Sequence, residues 1–184
     1  EDACSWVGTY CTCAAGYSGP DDTCAGCRPG SYKDVPGRSY CKECVAGKYN
    51  GNRLSAFEDN CTACPFGGTT LTKEASTIEE CTCDAGNTGA DAGACTVCAA
   101  GTFKALTGSS PCLDCPMDTY SPTEGSKGPL TACVACPVNS GTDGIDASGT
   151  VSACSCGLGY AQSSTLPGAF TCSRCPAGKI RSAA

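Results

Sequence analysis

The sequence predicts a small disulfide-rich fold in which tandem β-hairpin modules stack into an elongated rod, with little regular secondary structure and no helix of note. Three observations lead there. Cysteine supplies 21 of the 184 residues, a density that marks a disulfide scaffold. Those cysteines recur in a fixed frame along the chain. With 7% aromatic residues and 24 glycines, the chain lacks the material for a continuous apolar core, so cross-links must supply what burial does not.

The frame is set by three Cys-x-Cys pairs, Cys11/Cys13, Cys81/Cys83 and Cys154/Cys156. Three Cys-x-x-Cys pairs follow the first of them, Cys24/Cys27, Cys41/Cys44 and Cys61/Cys64, and three follow the second, Cys95/Cys98, Cys112/Cys115 and Cys133/Cys136. The periods are 70 residues from Cys11 to Cys81 and 73 from Cys81 to Cys154. The expected organisation is therefore the end of a preceding module over residues 1–10, one repeat over 11–80, a second over 81–153 and a partial third over 154–184.

Within the frame, each cysteine loop opens on a similar phrase, Cys-x-x-Gly followed by an aromatic. Cases are Gly16 with Tyr17, Gly30 with Tyr32, Gly47 with Tyr49, Gly101 with Phe103 and Gly159 with Tyr160. Glycine permits positive φ at a tight turn, and the ring is expected to lie over a neighbouring disulfide as a miniature core. Asp118 replaces the glycine before Tyr120, and the loops opened by Cys64 and Cys136 lack the aromatic. Those two loops are long and rich in Ser and Thr, as a solvent-facing segment is. Alternations such as Gly-Lys-Tyr-Asn and Gly-Thr-Phe-Lys suit strands of two to four residues. Residues 72–80 alone have helix-compatible composition, in a segment too short to be stable by itself.

Disulfides at this density persist in oxidising surroundings, so the expected location is extracellular or at a cell surface. No signal-peptide pattern and no apolar run approaching 18 residues occurs, and the segment is expected to be soluble or the mature ectodomain of a longer chain. A net charge of −6 excludes a nucleic-acid partner, whose phosphates demand a basic face. Charge alternates in blocks: −4 over residues 1–27, +4 over 28–53, −9 over 54–173 and +3 over 174–184. In a rod on the order of 100 Å long, such blocks lie farther apart than the ~8 Å Debye length, leaving them free to act between chains. Copies of the chain, or related filament proteins, and glycans are the expected partners.

Two connectivities fit the spacing. In a sequential ladder each opening cysteine bonds the next closing one: Cys13 with Cys24, Cys27 with Cys41, Cys44 with Cys61, Cys64 with Cys81, Cys83 with Cys95, Cys98 with Cys112, Cys115 with Cys133, Cys136 with Cys154 and Cys156 with Cys172. In an interleaved scheme neighbouring pairs cross-bond, for example Cys24 with Cys41 and Cys27 with Cys44. The chain ends favour the ladder, because Cys4 then closes a short loop with Cys11 and only Cys175 is left over. That odd cysteine opens a loop whose partner is expected beyond Ala184, as in a fragment of a longer protein.

Residues 11–24, 27–44, 98–116 and 154–172 resemble the cysteine-rich repeats known as ephrin-receptor-like modules, related in style to EGF-like and tumour-necrosis-factor-receptor modules. The resemblance covers nearly the whole chain after residue 10. It implies an extracellular module of a kind found in receptor ectodomains, in protist and algal surface proteins and in flagellar-hair (mastigoneme) proteins.

Other chemistries have less support in the residues. A Cys4 zinc site uses two Cys-x-x-Cys pairs, but here the pairs run on in series with Cys-x-Cys interspersed and no histidine. No catalytic or cofactor-binding residue is expected, since the commonest general base is missing and the carboxylates are scattered over loops. Asp143 and Asp146 form an acidic turn without the spacing of a calcium loop. Asn60-Cys61-Thr62 is a formal N-glycan sequon, and Thr69, Thr70, Thr72, Ser163, Ser164 and Thr165 are candidates for O-linked sugars. The expected function is structural, a self-assembling shaft or filament segment; the alternative is a receptor or adhesion stalk that binds a protein ligand. No apolar docking patch is legible in the sequence.

Overall fold

The computed structural model describes residues 3–8, 10–20, 23–163 and 171–179. Among them the backbone forms ten two-stranded antiparallel sheets, each a single hairpin. The bridges follow the sequential ladder. After a leading loop closed by Cys4–Cys11, the pairs Cys13–Cys24, Cys27–Cys41, Cys44–Cys61, Cys64–Cys81, Cys83–Cys95, Cys98–Cys112, Cys115–Cys133, Cys136–Cys154 and Cys156–Cys172 close loops 1 to 9. Two compact units are present. One comprises Glu1–Asp84, Gly89–Cys95 and Thr107–Ser109, the other Ala85–Thr88, Thr96–Leu106 and Ser110–Ala184.

The hairpins form because each opens on the same turn. The third residue after every opening cysteine, from Gly16 to Gly178, has a φ of 64° to 85°. The residue after it donates back across the turn, as Tyr17 N does to Ala14 O at 3.1 Å and Thr102 N to Ala99 O at 3.0 Å. This is a type II β-turn, whose third position requires positive φ. Gly67, Asp118 and Asn139 adopt the same conformation as the glycines of the more complete phrases. The turn carbonyl then receives an amide from the start of the next loop, Cys27 on Gly16, Cys44 on Gly30, Cys115 on Gly101 and Cys136 on Asp118, each at 2.8 Å, with Asp84 on Gly67 at 3.0 Å and Gly157 on Asn139 at 2.9 Å. One turn therefore fixes where the next begins.

Loop length decides what precedes the closing cysteine. In loops 3, 4, 7 and 8 the bridged cysteines are 17 or 18 residues apart. Each contains one helical turn just before its closing cysteine: 3-10 turns at Glu58–Asn60, Ile78–Glu80 and Val151–Ala153, and a single α-turn at Pro129–Ala132. The closing cysteine amide satisfies the turn, as Cys61 N does on Glu58 O at 2.9 Å. The helix-compatible segment 72–80 thus yields one 3-10 turn. Glu80 caps it by accepting the amides of Ser76 at 2.7 Å and Thr77 at 3.1 Å, bonds that hold its carboxyl below the usual 4.5.

Sulfur and polar side chains occupy most of the interior. Two rings contribute: Tyr32 packs with Cys44 and Cys61, and Phe103 with Cys115, Cys133 and Ala132. Each ring thus covers the bridge of the following loop. Most of the remaining buried positions are polar, and six of them are the sixth residue after an opening cysteine: Lys33, Asn50 and Thr70 in loops 2 to 4, Lys104, Ser121 and Thr142 in loops 6 to 8. These residues join consecutive loops. Gly16 N donates to Lys33 O, Gly30 N to Asn50 O, Gly86 N to Lys104 O and Gly101 N to Ser121 O, at 2.7 to 2.9 Å. In the last loop of each set the hydroxyl takes over, Thr70 Oγ1 accepting Gly47 N and Thr142 Oγ1 accepting Asp118 N, both at 3.0 Å.

Lys33 is 1% exposed, and its ammonium donates to three backbone carbonyls, of Cys13 at 3.4 Å, Tyr17 at 2.7 Å and Gly37 at 2.5 Å. Burial pushes its pKa down. Lys104, equally buried, donates to Asn87 O at 2.7 Å. A second set of bonds runs the other way. Left-handed residues of the next loop donate to opening-cysteine carbonyls, Leu54 to Cys27 at 3.1 Å, Glu74 to Cys44 at 3.3 Å and Ala147 to Cys115 at 3.1 Å. The unusual positive φ of these three side-chain-bearing residues is what aims their amides.

The same arrangement explains where glycine is obligatory. A Cβ on Gly30 would lie 2.0 Å from Glu74 O, and one on Gly101 2.0 Å from Ala147 O, in each case the backbone two loops ahead. A Cβ on Gly159 would meet nothing within 4 Å. Because Gly101 and Gly159 share a φ near 85° and 82°, substitution to Ala separates backbone conformation from close approach. Gly159→Ala should cost about 1 kcal/mol, the left-handed penalty alone, and Gly101→Ala at least about 2 kcal/mol more, measured by denaturant unfolding with bridges intact. Equal losses would show that the approach of loop 8 to loop 6 does not matter. Lys33→Met should cost on the order of 1–3 kcal/mol by leaving buried carbonyls unpaired, while Lys73→Met, at an exposed position, should change stability by less than about 0.5 kcal/mol.

Candidate interaction surface

Because bridges and backbone hydrogen bonds carry the cohesion, large apolar side chains are left outside. The clearest set sits at the second position of the type II turns. In most loops this residue is small or proline, Ala15, Pro29, Ala46 and Ala100 among them, but loop 4 places Phe66 there, and loops 7, 8 and 9 place Met117, Val138 and Leu158. Those last three are 57%, 82% and 89% exposed. Consecutive turns are tied by Cys136 N to Asp118 O at 2.8 Å and Gly157 N to Asn139 O at 2.9 Å, so the three apolar tips follow one another along a bonded track. Exposed Asp118, Glu124, Asp143 and Asp146 belong to the same loops, and exposed Asp114 directly precedes the first of them. Isolated apolar side chains on a surface need no explanation, but these three recur at one position of successive bonded turns.

The charge-block expectation needs correction at its basic end. Lys33, counted in the +4 block over residues 28–53, is interior and bonded to backbone carbonyls. Lys42 is held at 2.9 Å by Asp34, which lowers the carboxyl and raises the ammonium from their ordinary values. Arg28 and Arg53 remain exposed. The surface presented by that stretch is therefore less basic than its composition.

Cys175 is a free, half-buried thiol, its amide bonded to Gly159 O at 2.8 Å. Thr70 is corrected as a glycan candidate: it is 4% exposed, and its hydroxyl donates to Thr72 O at 2.7 Å while accepting Gly47 N. Thr69 is half-buried and Thr72 exposed. Ser163 is exposed and sits among hydroxyls, 2.9 Å from Thr171 Oγ1 and 2.8 Å from Ser173 Oγ. Ser164 and Thr165 lie outside the described residues. Asn60 is half-buried, its Oδ1 accepting Phe57 N at 3.2 Å. Asp143 and Asp146 are exposed, and Asp143 accepts the Ser155 hydroxyl.

The polar positions that join the loops were missed, although the sequence carries their signal: the sixth residue after the opening cysteine reads Gly, Lys, Asn, Thr in loops 1 to 4 and Gly, Lys, Ser, Thr in loops 5 to 8.

Comparison with known proteins agrees with this architecture. Residues 86–129 and 106–154 match the family model described as tyrosine-protein kinase ephrin type A/B receptor-like. The chain is 30% identical over 167 residues to the sushi, von Willebrand factor type A, EGF and pentraxin domain-containing protein 1 of Rattus norvegicus and of Mus musculus. The alignment covers 79% of this chain but only 4% of either relative, so the chain spans a small part of the curated relatives it matches. Over residues 86–154, and with the same hairpin geometry on either side, this is a cysteine-rich repeat of the extracellular type, similar to the ephrin-receptor-like modules.

Proposed function

We propose that the chain is a structural segment of an extracellular or surface protein, a shaft or filament element without catalytic activity that associates with copies of itself. The observation that carries this reading is the inversion of the usual arrangement: polar groups and sulfur fill the interior, while Met117, Val138 and Leu158 stand outside on successive turns. An interior of bridges and satisfied backbone groups holds its shape without those side chains, which leaves them for contact between chains. Stacking of the hairpins into a rod, and the two repeats over 11–80 and 81–153, belong to this proposal. Glycans on exposed Thr72 and Ser163 are compatible with it.

The second reading, a receptor or adhesion stalk, is favoured by the description of the matching family. Self-association separates the two. Light scattering of the native protein should show mass rising with concentration, and the triple variant Met117→Ser, Val138→Ser, Leu158→Ser should shift the equilibrium toward monomer by at least about tenfold. Salt should matter little, because the exposed charges that remain contribute weakly each. A protein that stays monomeric at every concentration and ionic strength would favour the stalk.

A further inference from the structure

The sequon Asn60-Cys61-Thr62 is divided among three fixed environments. Asn60 ends the 3-10 turn Glu58–Asn60, and its Oδ1 closes that turn by accepting Phe57 N at 3.2 Å. Cys61 is buried in the bridge to Cys44 and carries the packed Tyr32 ring. Thr62 is in a strand, opposite Tyr49. A glycosyl-transferring enzyme must hold all three residues as one accessible stretch, with the Asn amide and the Thr hydroxyl presented together. The closed loop denies that: the middle residue's sulfur is bonded to Cys44, and the carboxamide is held by Phe57. The finished fold nonetheless has room for the product, since Asn60 is half-exposed and only its Oδ1, not Nδ2, is engaged among the described residues.

We propose that Asn60 is an N-glycan acceptor only while Cys44–Cys61 is open, so that its occupancy is set by a race between sugar transfer and bridge closure. The inference rests on passage through an oxidising secretory compartment, which the bridges require, and not on the filament reading. Transfer forms a bond from Asn60 Nδ2 to C1 of a lipid-diphosphate-linked oligosaccharide. The C1–O bond breaks, one proton leaves Nδ2, and the lipid diphosphate departs. Cys44 enters the compartment before Cys61, and the sequon enters with Cys61, so both reactions become possible at the same moment. Bridge formation takes seconds or longer, which gives transfer an opening.

The test is pulse-labelling of the chain, made in a secretory cell, with glycosidase-sensitive mobility as the readout; this reads unfolded and folded molecules alike. Wild type should be partly occupied or unoccupied, and Cys44→Ala should raise occupancy at least twofold. A brief reductant pulse during synthesis should raise it in wild type. Thr62→Ala should abolish the shift in every case, assigning it to Asn60. Full occupancy in wild type, no occupancy under any condition, or equal occupancy in wild type and Cys44→Ala would each overturn the proposal.

Discussion

The structure depends on the bond that each left-handed turn carbonyl accepts from the start of the next loop, from the opening cysteine's own amide in most loops and from the residue after it at Asp84 and Gly157. That bond, 2.8 Å from Cys44 to Gly30 and again from Cys115 to Gly101, ties the start of one turn to the middle of the last. The disulfide then brings the loop's far end back beside its start, with Cα–Cα distances of 5.4 to 5.8 Å. A bridge closing a ~15-residue loop is worth about 3 kcal/mol in the chain-entropy account. Its larger service here is positional, because the sixth residue of loops 2 to 4 and 6 to 8 meets the preceding loop only when the register is held.

That register makes a polar interior workable. Buried amides, carbonyls and hydroxyls cost free energy unless paired, and Lys33, Asn50, Thr70 and their counterparts Lys104, Ser121 and Thr142 sit where the backbones of adjoining loops present partners. Interior demand for large apolar side chains is correspondingly small, met by Tyr32, Phe103 and the sulfurs. Outward apolar side chains such as Val138 and Leu158 follow from that economy.

Much of this was legible in the sequence. Cysteine parity and the Cys-x-x-Gly phrase foretold the hairpins, and the placement of Tyr32 and Phe103 over bridges came from the poverty of other apolar material. Asp118 read as a decayed position, yet it keeps the left-handed turn, with φ 64°, and its carboxylate accepts Thr142 N of the next loop at 3.1 Å. Lys33 was misread as surface charge for a sound physical reason: lysine is rarely buried, and only the carbonyls of Cys13, Tyr17 and Gly37, gathered from two loops, make its burial possible. Helical turns before Cys61, Cys133 and Cys154 escaped notice because they answer to loop length, not to local propensity, whereas the one before Cys81 falls in the helix-compatible segment 72–80. At Thr77 the Thr-x-x-Glu signature was present, but a cap says nothing about how short the turn will be.

The arrangement of the loops depends on the sequential register, and the chain supplies a cut that tests it. Lys42 lies between Cys41 and Cys44, so tryptic cleavage there under non-reducing conditions separates the two cysteines. Mass spectrometry of the linked peptides should find the Cys27 peptide joined to the one ending at Lys42, through Cys41. Recovery of Cys27 joined to the peptide that begins at Glu43, through Cys44, would contradict the account, since the sixth-residue bonds between loops have no geometry in that register.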